Sequence, residues 1–440
     1  MRVVVVGGGY VGMYAARHLQ RELGPGEATV TVIDPESAMT YQPFLPEAAA
    51  GNVEPRHVVV ALREVLRGCH VVAGRVTDVD PLAKTVTADL ADGSTEEVPY
   101  DYLVLAPGSI SKTLPIPGLA EHATGFKSLG EAIGLRNQVL STLDAANDCT
   151  DPARRRALLS YVFVGGGYAG VEAMAELQDL ARYATRFHDN VEPSDLSWTL
   201  VEAMDRIMPE VSADLGEYTV AKLRERDIAV RTGTQLKSVV DGHVVLSDGT
   251  EFDADTVVWT AGVAPHPLLR GSGLPLDEKG RVRCDATLRV HGHPEVFAGG
   301  DSAAVPDLAA KEPGAFCPPS AQHAVRQGKL MGANVLAALR DQPLREYRHR
   351  NAGSVASLGL YRGVAQVYGV KLTGLPAWLM HRFYHLATMP TAGRKARIAA
   401  DWVLAALFPR QVASLGELRE PRAEFELATR AAQQGRHAAR

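Results

Sequence analysis

The chain has 440 residues, a formal net charge of −5, and a composition that is 46% hydrophobic and 22% charged. A chain of this length predicts two or three domains, because single hydrophobic cores stop growing at about 250–300 residues. The slightly acidic balance argues against a nucleic-acid-binding protein, which would carry a broad positive excess. The four cysteines form no Cys-x-x-Cys pair, which disfavours zinc ribbons and thioredoxin-like exchange.

The N-terminal sequence predicts neither export nor membrane insertion. Arg2 leads directly into a run of valines, without a separate apolar region or a small-residue cleavage site, so we expect no secretory signal peptide. Uninterrupted apolar stretches are all shorter than the about 18 residues that a spanning helix requires. We therefore expect a chain that does not cross a membrane.

The first part of the chain has the pattern of a dinucleotide-binding unit. The valine run at residues 3–6 predicts a buried parallel strand, and a helical stretch follows it. Between them lies a GxGxxG motif formed by Gly7, Gly9 and Gly12. The first glycine permits a tight turn, the second lets a pyrophosphate approach the backbone, and the third lets helix and strand pack closely. The next strand, "ATVTVID", ends at Asp34, whose carboxylate is placed to bind a ribose.

The same pattern recurs near the middle of the chain. After "YVFV" the motif glycines are Gly165, Gly167 and Gly170. The following strand carries Glu202, and an extended loop through "RFHDNVEPSDLS" explains why this acid comes later than Asp34 does in the first copy. An acid here favours NADH because it repels the extra phosphate of NADPH, although Arg206 nearby weakens that preference. Two such units predict two dinucleotides, and a flavin with a nicotinamide is a common pair. We expect tightly but non-covalently bound FAD in the first unit and NADH in the second.

Four further stretches accompany the two glycine motifs: "YDYLVLAPGS", "VVWTAGVAPHP", "VFAGGDSAAVPD" and "PPSAQHAVRQG". Together they resemble the flavoproteins of the pyridine nucleotide-disulfide oxidoreductase superfamily, and among these most of all the type II NADH dehydrogenases. The likeness runs from Met1 to about Gly416. It implies an α/β fold with two Rossmann-like dinucleotide-binding domains and a C-terminal α-helical segment that associates with a membrane. It also implies a respiratory enzyme that passes hydride from NADH to FAD and two electrons to a membrane quinone, menaquinone or ubiquinone, without pumping protons.

The resemblance places FAD contacts on both halves of the first unit. Besides the three glycines, these contacts are Tyr10, Val11, Asp34, Gln42, Val76, Ala106, Pro107, Gly108, Asp301, Ala321 and Gln322. Asp301 is expected to bind the ribityl chain, and the alternative is that it caps the following segment. Pro107 and Gly108 either contact the flavin through the backbone or only form a turn.

The resemblance also implies the contacts of NADH. These are Gly165, Gly167, Tyr168, Gly170, Glu172, Glu202 and Gly262. Glu172 is expected near nicotinamide and flavin as a catalytic residue, and the alternative is that this acid only interacts with the helix dipole. We expect no metal.

A helix is predicted to begin near Ser320, after two prolines and at a serine N-cap. Its N-terminal N–H groups would stabilise negative charge on a reduced flavin. In similar enzymes glutamines of this helix face the quinone, and this chain has Gln322 and Gln327 but places Arg326 one turn after Gln322. Arg326 either hydrogen-bonds the quinone or forms a surface ion pair, and we expect His323 to point elsewhere. Gln322 and Arg326 complete the predicted catalytic set.

The motifs predict a discontinuous FAD domain at residues 1–115 and 263–345, with the NADH domain inserted at 116–262. Residues 346–416 are rich in aromatic and basic side chains, in two short helices broken at "MPTAG". This pattern is typical of a monotopic anchor in the lipid headgroup plane, on the cytoplasmic face of the cell membrane. A homodimer interface or a packed subdomain is the alternative, and the anchor and the interface can coexist. Residues 417–440 are polar and predict a surface helix or a frayed tail.

Two other functions fit parts of this pattern. A sulfide:quinone or ferredoxin-type reductase belongs to the same superfamily, but sulfide chemistry needs a cysteine pair near the flavin. Cys317 alone lies near the predicted quinone helix, where a small core residue is the simpler explanation. A flavoprotein that senses NADH with negligible turnover is the alternative from another functional class.

Overall fold

The structure is a computed structural model that describes residues 1–350 and 353–414. The predicted tail at 417–440 lies outside these residues. The described helices are α1 (Tyr10–Glu22), α2 (Leu45–Ala49), α3 (Leu62–Val65), α4 (Leu119–His122), α5 (Leu129–Asp148), α6 (Pro152–Leu158), α7 (Tyr168–Ala184), α8 (Ala213–Arg224), α9 (Leu268–Gly271), α10 (Ala321–Leu339), α11 (Gly374–Thr388) and α12 (Ala392–Leu407).

The described strands are β1 (Arg2–Val6), β2 (Thr29–Asp34), β3 (Ala38–Thr40), β4 (Val59–Ala61), β5 (His70–Asp80), β6 (Thr85–Leu90), β7 (Thr95–Pro99), β8 (Tyr102–Leu105), β9 (Ser109–Ser111), β10 (Ala123–Gly125), β11 (Ser160–Val164), β12 (Ser197–Val201), β13 (Ile228–Arg231), β14 (Leu236–Ser238), β15 (His243–Leu246), β16 (Glu251–Asp253), β17 (Thr256–Trp259), β18 (Val263–Pro265), β19 (Val282–Arg283), β20 (Arg289–Val290), β21 (His293–Ala298), β22 (Ala303–Ala304), β23 (Gly353–Ser357), β24 (Gly363–Val367) and β25 (Val370–Thr373).

The first sheet has eight strands in the order β20-β21-β8-β1-β2-β5-β6-β7. Its central strands are parallel: β1 pairs with β2 and β8, β2 with β5, and β8 with β21. Residues 3–6 of β1 are buried, as expected for a strand covered on both faces by other elements. The strand predicted from the valine run is therefore confirmed and lies at the centre of the sheet.

The second sheet has five parallel strands in the order β10-β17-β11-β12-β13. The rings of Tyr161 and Trp198 stack in its core with centroids 4.3 Å apart. Between α7 and β12 the chain makes short 3-10 turns at Thr185–Phe187 and Pro193–Asp195, which is the long loop expected before Glu202. The predicted α/β class with two Rossmann-like units is confirmed.

The two units are joined where the chain passes between them. The crossing segments pair as the antiparallel strands β9 and β18. Every strand of the eight-stranded sheet lies within 1–115 or 263–345, and every strand of the five-stranded sheet lies within 116–262. The exact domain boundaries stay a prediction.

The C-terminal region begins with a three-stranded antiparallel sheet, β23-β24-β25, which the sequence analysis missed. Its signal was present in the Gly-rich turns and the alternation of "GVAQVYGVKLT". The two predicted helices, α11 and α12, are confirmed, with a break at residues 389–391 and Thr391 capping α12 through the Arg394 N–H. None of the helices in the described residues has the length and apolarity to cross a membrane.

Charged side chains are buried where the two units and the C-terminal region meet. Glu176 on α7 accepts hydrogen bonds from Asn52 of the first unit and Ser357 of β23, both at 2.9 Å. Glu47 on α2 accepts one from Arg382 at 2.9 Å. Burial, with Glu47 and Asp179 nearby, raises the pKa of Glu176 to about 7. The junction therefore depends on polar groups held away from water.

We predict that Glu176→Gln changes how stability depends on pH. Because the folded pKa lies above the ordinary glutamate value, the folded chain binds the proton more tightly than the unfolded chain, and stability falls as pH rises from about 4.5 towards 7. The glutamine keeps both hydrogen-bonding positions but cannot ionise. At pH 8 its melting temperature should exceed that of the wild type by about 2–4 °C for each kcal/mol of stability recovered. At pH 5 the two melting temperatures should lie closer together.

The exposed Glu217 on α8 supplies the matched control. Glu217→Gln removes the same charge without touching the junction, so its melting temperature should follow the wild type at both pH values. If the melting temperatures of Glu176→Gln and wild type differ by the same amount at pH 5 and pH 8, the raised pKa of Glu176 is contradicted.

Candidate functional site

The first glycine motif forms a turn whose three glycines have different surroundings. Gly7 has φ of +95°, and a Cβ there would lie 2.3 Å from the Ala106 carbonyl oxygen. A Cβ on Gly12 would lie 1.8 Å from the Gly7 oxygen. Around Gly9, by contrast, nothing lies within 4 Å of the Cβ position. Gly7 and Gly12 are thus required by the protein's own packing, whereas Gly9 borders open space.

The second motif repeats this arrangement. A Cβ on Gly165, at φ of +117°, would lie 2.6 Å from the Thr260 backbone, and one on Gly170 would lie 2.1 Å from the Gly165 oxygen. Around Gly167 nothing lies within 4 Å. In both turns the first and third motif glycines have no room for a Cβ atom, whereas no protein atom lies within 4 Å of the Cβ position of the middle glycine.

A carboxylate after the second strand supports each turn. Asp34 accepts hydrogen bonds from the N–H groups of Gly8 at 2.6 Å and Glu36 at 2.7 Å. Glu202 accepts from Gly166 at 2.6 Å and Met204 at 2.8 Å. Burial raises the pKa of Asp34. The equivalent bonds to Gly8 and Gly166 identify Glu202 as the counterpart of Asp34, despite the longer intervening loop.

The ends of α1 and α7 fit the phosphates of a dinucleotide. Neither N-cap, Gly9 or Gly167, has a side chain that could satisfy the first N–H groups, and the first turn of each helix lacks acidic residues. Tyr10 and Val11 begin α1, and Tyr168 begins α7. Uncapped N–H groups facing open space form an anion site at each helix. Both turns therefore fit a pyrophosphate, which supports FAD and NADH as ligands of this chain.

The segment after β8 meets the segment after β21 beside the first turn. Ala106 is buried against β1, and Gly108, which follows Pro107, has φ of +74° and donates its N–H to Ser302 at 2.9 Å. Asp301 accepts a 2.5 Å hydrogen bond from the Ser109 hydroxyl. Among the described residues this carboxylate caps no helix, and its predicted contact with the ribityl chain stays a prediction.

Lys127 was missed by the sequence analysis, because nothing in its local pattern distinguishes it from a surface lysine. Its ammonium group donates to the Ser109 hydroxyl at 2.5 Å and to the Ser109 carbonyl. Burial lowers the pKa of Lys127, while Asp301 and Glu131 oppose that shift. Lys127, Ser109 and Asp301 thus form a charged chain between the two units.

The remaining predicted cofactor residues lie around these turns. Val76 follows the paired residues of β2 and β5 at the end of the sheet where Asp34 lies. Gln42 is exposed and donates to the Lys127 carbonyl at 3.3 Å. Gly262, at φ of +96°, accepts from the Lys112 N–H at 3.1 Å. Ala321 is the first residue of α10. Their contacts with a ligand stay predictions.

Helix α10 lies directly against α1, and the predicted serine cap is confirmed by a 3.3 Å hydrogen bond from the His323 N–H to Ser320. A Cβ on Gly328 would lie 2.6 Å from the Val11 oxygen, so the two helices touch through backbone atoms. Gln327 is buried and accepts from the Gly300 N–H at 2.7 Å. The Gln327 carboxamide therefore ties α10 to the segment of Asp301, and its predicted contact with quinone stays untested.

The other predicted quinone residues lie on the first two turns of α10. Gln322 donates to the Gly353 carbonyl at 2.8 Å, and its Oε1 is buried without a partner among the described residues. Arg326 donates to the Gln322 carbonyl at 3.0 Å and forms no ion pair within the described chain. His323 is buried, with Nδ1 2.8 Å from the Tyr347 hydroxyl. Gln322 Oε1 is thus an acceptor that a hydroxyl or N–H donor could satisfy.

Glu172 lies where α7 meets the C-terminal region. It is buried, accepts a 2.8 Å hydrogen bond from the Ser357 N–H, and lies 3.1 Å from His381 Nε2. Burial opposes protonation of His381, but the adjacent Glu172 carboxylate together with Glu47 and Glu176 outweighs it and raises the pKa of His381. Glu172 lies beyond the first turn of α7, so the helix dipole does not account for its position. His381 could not be found by sequence reasoning, because the contact joins elements far apart in the chain.

The cysteines and the possible metal ligands are the candidates for thiol and metal chemistry. All four cysteines are free, and burial raises the pKa of Cys69 to about 11 and that of Cys317 to about 12. Such thiols are weak nucleophiles at neutral pH. No cluster of His, Cys, Asp or Glu suited to a metal ion occurs in the part of the chain that the structure describes.

Comparisons with known proteins agree with this geometry. Residues 1–328 match the pyridine nucleotide-disulphide oxidoreductase family. A type II NADH:quinone oxidoreductase of Mycobacterium tuberculosis is 29% identical, covering 93% of this chain and 89% of the relative. A second one from that organism is 31% identical, covering 91% and 85%.

The fold has a close counterpart among solved structures. NDH2 from Plasmodium falciparum, solved in complex with NADH, superposes with a TM-score of 0.85 at 17% identity, covering 94% of this chain and 99% of the other. At this identity the likeness concerns the fold alone. The family match over residues 1–328 and the 31% identical relative decide the assignment: this chain belongs to the pyridine nucleotide-disulphide oxidoreductase family.

Proposed function

We propose that this chain is an FAD-dependent NADH:quinone oxidoreductase that works at a membrane surface and does not pump protons. The observation that carries the proposal is the pair of sterically equivalent turns in one chain, each leaving its middle glycine open and each supported by a carboxylate. The names of the two M. tuberculosis relatives, which match over most of this chain, support NADH and quinone as the substrates.

The first turn, with Asp34 and the segments of Gly108 and Asp301, would hold FAD. When bound, FAD accepts a hydride and releases two electrons, which is chemistry that side chains alone do not provide. The N–H groups of α1 bind phosphate, and Asp34 keeps the turn in shape through the Gly8 N–H. Lys127 places a positive charge beside Ser109 and Asp301, where it can offset negative charge.

The second turn, with Glu202, would hold NADH. Both Glu202 oxygens accept backbone N–H groups, so the carboxylate stays fixed at the end of β12. Arg206 donates through Nη2 to the Met208 and Val211 carbonyls, while its Nε is buried without an acceptor among the described residues. The fixed negative charge of Glu202 disfavours the additional phosphate of NADPH, and the positive charge of Arg206 weakens that preference.

Quinone reduction consumes protons, and Glu172 and His381 are the candidates to transfer them. Glu172 and His381 lie 3.1 Å apart in a buried site, and the raised pKa of His381 favours a proton on His381 beside the Glu172 carboxylate. Gln322 has a buried Oε1 without a partner among the described residues, and Arg326 lies one turn further along α10. We propose that Arg326 donates to a quinone carbonyl, that Gln322 Oε1 accepts from a hydroxyl of the quinol, and that Glu172 takes part in proton transfer.

The C-terminal helices carry exposed apolar side chains suited to a membrane surface. Phe383 and Leu379 of α11 and Leu404, Leu407 and Phe408 near the end of α12 are exposed, with Leu407 at 71% and Phe408 at 62%. Basic residues such as Lys395 and Arg397 accompany them. We propose peripheral attachment to the cytoplasmic face of the cell membrane through these helices, with a homodimer contact as the alternative use of the same surface.

The first experiment is anaerobic and uses the purified flavoprotein. NADH should bleach the flavin absorbance, and a short-chain quinone added afterwards should restore it rapidly. Bleaching without return would favour an NADH sensor or another electron acceptor. No bleaching would overturn the assignment of the second turn to NADH.

Alanine at the middle glycines should separate the two ligands. Gly9 and Gly167 have ordinary negative φ values and open space around them, so the protein itself tolerates a methyl group at either position. Gly9→Ala should remove most of the bound flavin, measured by absorbance per protein. Gly167→Ala should retain the flavin and raise the KM for NADH about tenfold or more.

Each of these variants is the control of the other. Loss of flavin in both would indicate general misfolding of the turns, and unchanged flavin content in Gly9→Ala would reject the first turn as the FAD site.

Glu202→Gln should relax the preference for NADH. Removing the negative charge should raise kcat/KM for NADPH relative to NADH by about tenfold, which corresponds to about 1.4 kcal/mol. The Gly166 and Met204 N–H groups donate to different carboxylate oxygens, so the amide oxygen can accept from only one of them, and the melting temperature reports whether the turn persists. Steady-state kinetics with both nucleotides measure the ratio, and an unchanged ratio would place Glu202 outside the ribose site.

A further inference from the structure

A large cleft lies between the two dinucleotide-binding units and the C-terminal helices. Its volume is about 1550 Å³, and its lining includes residues of α5, α7, α11 and α12 but no glycine of either motif. The proposed redox chemistry leaves this cleft without a role. Its arginines distinguish it from an ordinary gap between domains.

Several arginines of the cleft already have carboxylate partners. Arg226 binds Asp179 at 2.8 Å, and Arg382 binds Glu47 at 2.9 Å. Arg382 also lies over the rings of Trp378 and Trp402, at 4.0 Å and 4.8 Å from their centroids. These charges are neutralised within the fold and offer little to a ligand.

Arg136 differs from these arginines. It projects from α5, is only 7% exposed, and forms no ion pair within the described chain. Its acceptors there are main-chain carbonyls, Gln411 at 2.6 Å and Ala49 at 3.5 Å. Burial and the positive charge of Arg410 lower the pKa of Arg136. A buried cation without a counter-charge is costly, because main-chain dipoles replace only part of its hydration.

Arg410 adds a second positive charge to the same place. It follows α12, lines the cleft, and likewise forms no ion pair among residues 1–350 and 353–414. Its Nη1 is buried and has no hydrogen-bond acceptor in this part of the chain. The charge of Arg410 also acts on the buried carboxyl of Glu176, where it opposes the raised pKa. Two neighbouring guanidinium groups that form no ion pair within the described residues, one with an unused buried donor, have the composition of a phosphate site.

The edge of the cleft beside Arg410 is apolar. Leu404 and Phe408 line the cleft and are exposed, at 53% and 62%, and Leu407 next to them is also exposed. A ligand that fits both features carries an anionic phosphate at one end and hydrocarbon at the other. Free phosphate would satisfy the arginines but would leave the apolar edge uncovered.

We propose that the cleft binds an anionic phospholipid, with its phosphate between Arg136 and Arg410 and its acyl chains along Leu404, Leu407 and Phe408. The site would hold one lipid specifically, in addition to the general attraction of a basic surface. This inference rests on the proposed membrane attachment and adds the lipid class and the residues that select it.

The test measures binding of the full-length flavoprotein to vesicles by flotation. One set of vesicles is phosphatidylcholine alone, and the other contains four parts phosphatidylcholine to one part phosphatidylglycerol. The measurement is made in about 0.5 M salt, where exposed charges are largely screened and a buried site is screened less. Flavin content and NADH oxidation with a water-soluble acceptor report whether each variant is folded.

Arg410→Gln is the principal variant, and Arg270→Gln on α9, exposed and outside the cleft and the C-terminal helices, is the control for loss of one charge. Wild type and Arg270→Gln should prefer phosphatidylglycerol vesicles in high salt, and in Arg410→Gln that preference should fall about tenfold. Arg410→Lys should retain most of it. If Arg410→Gln does not fold, Arg136→Gln takes its place with the same expectation.

Equal phosphatidylglycerol preference in Arg410→Gln and wild type would overturn the proposal, as would equal losses in Arg410→Gln and Arg270→Gln. Thermal protection by inorganic phosphate that requires Arg410, without any preference among vesicles, would overturn the assignment to lipid. Failure to bind either vesicle would contradict membrane attachment itself, whereas binding to both without preference would contradict only the arginine site.

Discussion

The architecture depends on the close approach of a helix to the strand before it, at a turn that has no room for a Cβ atom. At Gly12 and Gly170 a methyl group would overlap the oxygen of the first motif glycine. This contact directs the uncapped N–H groups of α1 and α7 towards the open space at Gly9 and Gly167. It also lets Asp34 and Glu202 reach the turn backbone. The same use of small residues continues in α10, where Gly328 brings a third helix against α1.

The second organising feature is the polar junction that joins the two units to the C-terminal region. Glu47, Glu172 and Glu176 are buried there, and Arg382, His381 and Ser357 of the C-terminal region contact them. Buried charges are costly unless each has a partner, so α11 and β23 must dock with these groups aligned. The C-terminal region is therefore part of the candidate active site as well as the proposed membrane surface. Glu172 contacts that region directly, which links the second dinucleotide-binding unit to β23 and α11.

Much of the candidate site could be read from local patterns. The two glycine motifs, the serine cap of α10 and the paired C-terminal helices are signals within short stretches, and the structure contains each of them. Lys127, Ser109 and His381 could not be found in this way, since their partners are distant in the sequence. The β23-β24-β25 sheet was missed because the aromatic and basic residues of this region favoured a pair of membrane-associated helices. Gln327 has a contact that the sequence did not predict, since its Oε1 accepts from the Gly300 N–H, and its predicted contact with quinone stays a prediction.

The sequence by itself determined the α/β class, the two dinucleotide turns and the carboxylates that support them, because the spacing of glycines and strands is a short-range constraint on backbone geometry. The tertiary structure alone decided which side chains meet between the units. Lys127 beside Asp301, His381 beside Glu172, and Arg136 near Arg410 are contacts between separate elements, and packing brings them together. The physical reason is that a local pattern fixes a turn or a helix, whereas the environment of a buried charge depends on every element packed around it.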